Sequence, residues 1–460
     1  MDASARRVRA QQLLASGQAQ RLLEELSDLP LGDFDADLAY FHAVAAAKCG
    51  RRDRAEPALA HCLALAPDHP GGRFQRAVFA QADGKLHAAR EDFAAAARAA
   101  PAWAEAHYNL GVIEAGLGDF AAAEASYRAA LRAQPRLLAA ANNLANLLCE
   151  RSAEQEAIAL MQGVLAAAPG FAIGWATLGR SLLRVRQPGP AIEALRRALN
   201  LDASQAAAWQ NLGDAHQLQG DVTAAAEAYA RALQLEPQSA ALAFKLDTLR
   251  GAQPARPPDA YVRDLFDGMA GAFDHWLVDT LGYRLPEQLA RYLPEATGLD
   301  VLDLGCGTGL AAPALRPLAR RLEGADLSSN MLRQAAARGL YDALHQASLQ
   351  DLLAREAACW DLLLAADVFV YVGALEPVFA AAARALRPGG WLLFSIEVAA
   401  DAEAGGFALQ STGRYGHSAR VLARQAEALG FTVELDAPID LRRERAQMLP
   451  GRVMRLRFKG

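Results

Sequence analysis

Two short stretches in the C-terminal half carry residue types that could hold a ligand. In the first, an apolar run containing Asp303 leads into a turn with glycines at Gly305, Gly307 and Gly309. Glycines allow unusual backbone dihedral angles and let the backbone touch a ligand. In the second, Asp326 ends the next apolar run, 23 residues after Asp303. A carboxylate there accepts from both hydroxyls of a ribose, and the absence of a long phosphate-binding loop favours a ligand without pyrophosphate.

These stretches resemble the first motif of class I S-adenosylmethionine-dependent methyltransferases, and the resemblance extends over residues 260–460. It implies that the glycine backbone wraps the methionine part of S-adenosylmethionine, that Asp303 orders the turn from beneath and that Asp326 holds the ribose. The remaining residues assigned to the cofactor are Leu327, Met331, Ser348, Leu349 and Asp367. Relatives often carry an aspartate where Ser348 stands, so the contact to the adenine amine is weaker here or moves to the backbone. A decayed fold without cofactor and an NAD-type dehydrogenase stay open as alternatives.

Four side chains are candidates for the acceptor pocket and for catalysis: Asp367, Tyr371, Tyr415 and His417. Methyl transfer from a sulfonium needs chiefly a positioned nucleophile and the exclusion of water. Because a histidine ordinarily titrates near neutral pH, His417 is a candidate general base, although it is equally well explained as a residue at a helix start. Asp367 could stabilise a cationic acceptor or only hydrogen-bond its loop, and the two tyrosines could simply pack.

The elements around these residues predict a parallel α/β sheet, because apolar strands alternate with amphipathic helices after residue 259. The resemblance implies the Rossmann-like, seven-stranded form of that sheet. The stretch from Tyr261 to Trp276, with Phe266 and Phe273, is either a lid over the cofactor or a helix packed on the sheet edge.

The N-terminal half is organised by a different signal, an exact 34-residue period. Prolines recur in this register at Pro67, Pro101, Pro135, Pro169 and Pro237. Two further columns keep the same spacing. One is always alanine, at 55, 89, 123, 157, 191 and 225; the other is alanine or glycine, at 43, 77, 111, 145, 179 and 213. Small residues at these places predict helix pairs that cross closely.

This pattern resembles the tetratricopeptide repeat, most clearly in 104–137 and 206–239. The predicted organisation is an all-α tetratricopeptide solenoid followed by the α/β methyltransferase domain. Its segments are a degenerate helical pair at 1–35, six repeat units plus a capping helix at 36–250, a proline-rich linker at 251–259 and the methyltransferase domain at 260–460.

The first helices of the repeat units are expected to line a concave face that carries asparagines. The candidate peptide-binding residues are Asn109, Asn143, Asn146 and Asn211. Asparagine amides can hydrogen-bond both the N–H and the C=O of an extended peptide. Such a ladder resembles the peptide groove of O-linked N-acetylglucosamine transferases, while a merely solvated surface remains the alternative.

The composition of the chain limits the kinds of partner that it is expected to bind. The net charge of −5 and the pI of about 6.0 disfavour a nucleic-acid binder. The five cysteines show no metal-ligand spacing, no metal is expected, and no run is apolar enough to span a membrane. We expect a cytoplasmic protein whose oligomeric state the sequence does not give.

The leading hypothesis is an S-adenosylmethionine-dependent methyltransferase whose repeats recruit a protein or peptide substrate. The alternatives are a small-molecule methyltransferase that uses the repeats for oligomerisation or carrier-protein binding, a non-catalytic assembly factor, and an enzyme that uses the bound cofactor for other chemistry.

Overall fold

The computed structural model describes the chain except residues 1–2, 268, 270–272, 275–276, 279–280, 356, 400–401, 403–404, 411–412 and 445–446. The chain divides into two compact units, Met1–Leu201 and Asp202–Gly460. In the described part of the chain no helix has the length and apolar character needed to cross a lipid bilayer.

The first unit is built from antiparallel helix pairs. Its helices are α1 Ala3–Ala15, α2 Ala19–Glu25, α3 Ala36–Lys48, α4 Arg52–Leu65, α5 Pro70–Ala82, α6 Leu86–Ala99, α7 Ala104–Gly116, α8 Phe120–Ala133, α9 Leu138–Glu150, α10 Glu154–Ala167, α11 Ala172–Arg184 and α12 Pro188–Leu201. Each predicted 34-residue unit in this range holds one pair, which confirms the helical repeat architecture.

The small-residue columns sit where the helices of a pair cross. A Cβ at Gly111 would lie 2.8 Å from the Tyr127 ring, and one at Gly179 would lie 2.5 Å from Leu195. The alanine column is fully buried at every position. The close packing therefore requires these residue types.

A contact recurs between three of these pairs and the turn before each of them. The side chain six residues after the repeat-ending position hydrogen-bonds the carbonyl at that position: Arg73 to Pro67, His107 to Pro101 and Trp175 to Pro169, at 2.6, 3.1 and 2.8 Å. These bonds provide a donor for carbonyls of the turn, which lie two residues beyond the end of the preceding helix.

The second unit begins with three helices: α13 Ala206–Gln219, α14 Val222–Leu235 and α15 Ala240–Leu249. The α13–α14 pair repeats the close crossing, since a Cβ at Gly213 would lie 2.5 Å from Tyr229. The shorter helices that follow are α16 Asp259–Asp267, α17 Leu285–Gln288, α18 Ala312–Leu315, α19 Ser329–Ala337, α20 Leu349–Arg355, α21 Glu376–Ala385 and α22 Ala419–Ala428.

Nine strands in the described part of this unit form one sheet. They are β1 Leu299–Leu304, β2 Ala319–Asp326, β3 Ala343–Gln346, β4 Trp360–Ala365, β5 Leu386–Val398, β6 Phe407–Leu409, β7 Tyr415–His417, β8 Phe431–Glu444 and β9 Gln447–Phe458. Strands β3, β2, β1, β4 and β5 are parallel neighbours in that order, and β9 and β8 continue the sheet antiparallel. These seven strands are the predicted Rossmann-like sheet; the short β6–β7 pair is added beside the end of β5.

Strand β1 is buried at every residue, as expected for a central strand covered on both faces. Because β1, β2, β4 and β5 are parallel, their carboxyl ends meet at one edge of the sheet, where ligands bind in open α/β folds.

The segment between α15 and α16 is held against this edge. The Ala255 carbonyl accepts from the backbone N–H groups of Gly373 and Ala374, both at 2.9 Å. The Gln253 amide exchanges two hydrogen bonds with the backbone of Leu409, at 2.6 and 3.3 Å. We call residues 253–257 the strap.

Candidate active site

The glycine turn after β1 presents bare backbone to a cavity of about 160 Å³. Gly305 and Gly307 have φ of +65° and +54°, in the left-handed region that glycine tolerates. A Cβ at Gly305 would meet Val368 at 2.6 Å, whereas one at Gly307 would meet nothing nearer than a Phe273 carbon at 3.9 Å. The backbone at 307 therefore faces open space in which a ligand can lie.

Gly309 has a different role from the one expected. Its φ is +84°, and a Cβ there would lie 3.0 Å from the Tyr341 ring. It is not among the residues that line the cavity. Glycine at 309 therefore allows the turn to pack closely against Tyr341.

Asp326 ends β2 on the cavity wall. One carboxylate oxygen accepts from the Gly307 N–H at 3.0 Å, and the other accepts from the Ser328 N–H at 2.8 Å. Burial raises the pKa of this carboxyl, and the backbone donors oppose that effect. The glycine turn after β1 and the end of β2, both identified in the sequence, thus lie side by side in the cavity wall.

Asp303 lies beneath the turn, 1% exposed, and accepts a 2.6 Å hydrogen bond from the Tyr341 hydroxyl. Burial raises the pKa of the Asp303 carboxyl to about 7, helped by the nearby charge of Asp326, while the Tyr341 bond works against the rise. No sequence pattern pointed to Tyr341, which lies 38 residues from Asp303 along the chain.

Of the residues expected around the adenine, Leu327, Ser348 and Leu349 line the cavity. Met331 does not: it is fully buried in the core. The Ser328 hydroxyl caps α19 by accepting from the Met331 N–H at 3.1 Å. This places Met331 in the first turn of the helix and on its inner face.

Asp367 and Tyr371 also line the cavity, but the Asp367 carboxylate is already hydrogen-bonded within the protein. Both of its carboxylate oxygens accept from Arg442, at 2.7 and 2.8 Å, and Arg442 also bonds Glu397. Arg442 and Glu397 are each 1% exposed. Paired in this way, Asp367 has little capacity left to stabilise a cationic acceptor.

Tyr415 and His417 do not reach the cavity, contrary to the expectation for them. Tyr415 is fully buried and donates to the Pro254 carbonyl at 2.9 Å. The His417 Nε2 lies 2.9 and 3.2 Å from the carbonyls of Val372 and Gly373. Burial lowers the pKa of His417 to about 4, so the imidazole is neutral at physiological pH. Its hydrogen bonds to the backbone indicate a structural role. Strand pairing of β7 with β5 is what draws both side chains inward.

The segment predicted as a lid contributes a wall with Phe266 and Phe273, whose rings meet edge to face at 5.9 Å. Asp267 accepts from the Ser328 hydroxyl, and Asp274 accepts from the Thr308 hydroxyl. The segment is thus hydrogen-bonded to both cofactor stretches. Trp276 lies outside the described residues.

Four side chains at the site had no recognised signal in the sequence: Arg256, Tyr283, Tyr341 and Arg442. Arg256 follows a proline-rich stretch that looks like a linker. Arg442 occupies a strand position where an apolar residue is usual. Within the described residues, no group of three or more His, Cys, Asp or Glu side chains is arranged to hold a metal.

The candidate peptide-binding asparagines are partly exposed, and several are engaged within the chain. Asn109 donates to the Glu105 carbonyl of its own helix at 2.8 Å. Asn146 accepts from Arg180, and Asn143 hydrogen-bonds the Tyr127 hydroxyl. Asn211 lies in the second unit, on α13.

Two family models match the chain. Residues 302–394 match a methyltransferase domain, and residues 74–137, 113–170 and 177–240 match tetratricopeptide repeats. The chain carries a methyltransferase domain after tetratricopeptide repeats. The first match begins within β1 and ends within β5, and it includes the glycine turn and Asp326.

Curated relatives resemble part of the methyltransferase half. The ubiquinone biosynthesis O-methyltransferase of Albidiferax ferrireducens is 30% identical over 109 residues, which is 23% of this chain and 43% of that protein. The protein of the same name from Paraburkholderia phymatum is 31% identical over 103 residues, 22% of this chain and 44% of that protein. The chain therefore spans less than half the length of these relatives.

Among solved structures, MamA 41-end from Desulfovibrio magneticus RS-1 is similar over 37% of this chain and 96% of its own, with 24% identity and a TM-score of 0.34. A putative S-adenosylmethionine-dependent methyltransferase from Listeria monocytogenes is similar over 38% of this chain and 96% of its own, with 18% identity and a TM-score of 0.32.

Proposed function

We propose that the protein is an S-adenosylmethionine-dependent methyltransferase, with residues 260–460 as the catalytic domain and residues 36–250 as a recruiting domain. The observation that carries this proposal is the wall formed by the bare Gly305–Gly307 backbone and the Asp326 carboxylate. It offers hydrogen-bonding groups and open space for a nucleoside with an amino-acid tail, and no side chain of the turn fills that space.

When bound, S-adenosylmethionine supplies an electrophilic methyl group, whose bond to sulfur breaks with both electrons left on the sulfur. Asp326 would hold the ribose hydroxyls, and Asp303 keeps the turn in shape from below. The aromatic wall of Phe266 and Phe273 excludes water from the reacting atoms.

The side chains that were predicted for catalysis are not placed to act as a general base. His417 is buried elsewhere, Asp367 is paired with Arg442, and burial raises the pKa of Tyr371. The chemistry therefore rests on positioning, and it suits an acceptor atom that is nucleophilic without help from the protein.

Two kinds of molecule are candidates for the methyl acceptor. Recruitment of a protein or peptide by the repeats is supported by the partly exposed asparagines on their first helices. A small-molecule acceptor is supported by the apolar, partly enclosed cavity and by the partial likeness to O-methyltransferases. A non-catalytic assembly role is the alternative to both.

Calorimetric titration of the full chain with S-adenosylmethionine and S-adenosylhomocysteine tests the enzyme proposal. Asp326→Ala should weaken binding by about 1–3 kcal/mol, because a buried acceptor is lost. Asp264→Ala, an exposed acid on α16, is the matched control. Absence of binding by the unaltered chain would overturn the proposal.

The role of the repeats is tested with radiolabelled S-adenosylmethionine in fractionated cell extract. If the repeats deliver a protein substrate, label appears in acid-precipitable material and falls when Asn109, Asn143 and Asn211 are all changed to alanine. Asn200→Ala, on the exposed side of α12, should leave the label unchanged. Label confined to the soluble fraction would favour the small-molecule candidate.

A further inference from the structure

The last helical repeat lies in the same compact unit as the sheet, and α15 is anchored on it. Lys245 of α15 donates to Asp214 of α13 at 2.6 Å and lies over the Tyr229 ring of α14, 5.3 Å from its centroid. Leu242 and Leu246, which are 1% and 4% exposed, pack in one core cluster with residues of α14. The position of α15 is therefore set by the last repeat.

Phe244 of α15 packs in the opposite direction, against the methyltransferase part of the chain. Its side chain is 7% exposed and shares a core cluster with Leu409 of β6 and Tyr415 of β7. The ring of Tyr261 on α16 packs against the same cluster, and its centroid lies 4.9 Å from that of Phe244. Aromatic pairs at this distance stabilise a contact beyond the area that they bury. Phe244 thus connects α15 directly to α16.

Helix α16 forms part of the cavity wall with an adjacent face. Asp259, Val262 and Phe266 line the cavity, and their spacing of three and four residues places them on one side of the helix. The Phe266 ring meets the Tyr371 ring edge to face at 5.1 Å. Phe244 does not line the cavity, so any effect that it has on a ligand passes through the elements against which it packs.

The end of α16 is hydrogen-bonded to the segment that follows β2. Asp267 accepts from the Ser328 hydroxyl, and the Asn330 amide donates to the Asp267 carbonyl at 3.1 Å. The Ser328 N–H in turn donates to the Asp326 carboxylate at 2.8 Å. A displacement of α16 would therefore disturb the residue that is proposed to hold the ribose.

The strap fixes the covalent connection between α15 and α16 as well. The Ala255 carbonyl accepts from the N–H groups of Gly373 and Ala374 at 2.9 Å. A Cβ at Gly373 would lie 2.8 Å from the Ala255 oxygen, so the strap packs on this turn without space between them. A segment held in this way does not behave as a flexible linker.

We propose that Phe244 is a positioning residue: its contact with Tyr261 holds α16 over the cavity, which makes the last helical repeat part of the cofactor site. This inference rests on the proposed function, since the ligand of the cavity is taken to be S-adenosylmethionine. The cofactor binds fully only to molecules in which α16 is in place, so its apparent affinity falls in proportion to their fraction. The role is separate from any recruitment of a substrate by the repeats.

The test measures binding of S-adenosylhomocysteine to the full chain by calorimetry, well below the temperature at which each variant unfolds. Phe244→Ala should weaken binding by about 5-fold or more, the loss expected when α16 is in place in about one molecule in five or fewer. Phe244→Leu keeps most of the apolar volume and should recover most of the affinity. Phe244→Val replaces Phe244→Ala in the test if the alanine variant does not fold.

Leu246→Ala is the matched control, because Leu246 is buried on the same helix but packs towards α14. It should lower the unfolding temperature, followed by circular dichroism, and leave the affinity for S-adenosylhomocysteine unchanged. Tyr261→Ala removes the aromatic contact from the other side. The double variant with Phe244→Ala should therefore weaken binding by less than the product of the two single effects.

The inference is overturned if Phe244→Ala lowers the unfolding temperature but keeps the affinity of the unaltered chain, or if Leu246→Ala weakens binding as much as Phe244→Ala does. Independent effects of Phe244→Ala and Tyr261→Ala would also contradict it. Failure of the unaltered chain to bind S-adenosylhomocysteine is a separate result, which refutes the proposed function itself.

Discussion

Replacing Asp303 by asparagine should make the methyltransferase sheet less sensitive to rising pH. Below pH 4 the Asp303 carboxyl is protonated in the folded and in the unfolded chain, so it does not oppose folding. Between pH 4 and pH 7 it ionises in the unfolded chain first, because its pKa is about 7 when folded against an ordinary value of 3.8. The folded state then binds more protons, and the free energy of unfolding falls as the pH rises.

The size of the effect follows from the shift. A displacement of about 3 pKa units corresponds to about 4 kcal/mol over the whole range, of which about 2–3 kcal/mol falls between pH 5 and pH 8. Asp303→Asn keeps an oxygen that accepts from Tyr341 and removes the charge. The variant should therefore lose about 2–3 kcal/mol less than the unaltered chain over that interval.

The assay is a urea series at pH 5 and pH 8 with pulsed hydrogen exchange of the peptide that spans β1. This peptide reports on the sheet separately from the helical repeats. Tyr341→Phe is an informative companion, since removing the donor should raise the pKa of Asp303 further and steepen the loss. If the unaltered chain and Asp303→Asn show the same difference between the two pH values, the burial argument is refuted.

Three further outcomes are expected. Gly111→Ala should lower the free energy of unfolding by about 1–3 kcal/mol because its Cβ would meet Tyr127, while Gly116→Ala in the same helix, with nothing within 4 Å, should raise it by up to about 1 kcal/mol; thermal unfolding followed by circular dichroism distinguishes them, and equal shifts would contradict the packing argument. The folded His417 has a pKa of about 4 against 6.5 ordinarily, so it contributes stability above pH 6.5 that is lost as the pH falls towards 4. His417→Asn should reduce this acid sensitivity in urea titrations and leave the pH–activity curve between pH 6 and 9 unchanged. A shifted pH–activity curve would instead indicate that His417 acts as a general base. Arg442→Met should lower the free energy of unfolding by about 3–5 kcal/mol, because it removes the buried guanidinium that bonds both Asp367 and Glu397. Adding Asp367→Asn and Glu397→Gln should recover part of that loss; no recovery in urea unfolding would show that the charges are not the cause.

The parts of the protein that could be predicted are those encoded by local spacing. The 34-residue columns specify the helix pairs, and Asp303, Gly305 and Asp326 are recognisable because each lies next to the strand that positions it. Gly309 and Met331 were predicted to contact the cofactor but do not line the cavity, because the direction in which a turn or a helix face points depends on what packs behind it.

The remainder of the site depends on long-range pairing. Arg442 meets Asp367 across 75 residues, and Tyr341 meets Asp303 across 38 residues. His417 looked like a base because its burial comes from the pairing of β7 with β5, which no local pattern reports. Tyr283 and Arg256 could not be predicted as site residues, because they line a cavity that is enclosed by elements distant from them in the sequence.

The strap has a practical consequence for dissecting the protein. A fragment starting at residue 260 would begin beyond Arg256 and would lose the Ala255 carbonyl, which accepts from the N–H groups of Gly373 and Ala374. It would also lose the Pro254 carbonyl, which accepts from the Tyr415 hydroxyl. Each buried donor that loses its partner lowers the free energy of unfolding by about 1–3 kcal/mol. Anyone cutting the chain to study the enzyme alone should cut before residue 206 and keep the last helical repeat attached, although the proline-rich sequence invites a cut some fifty residues later.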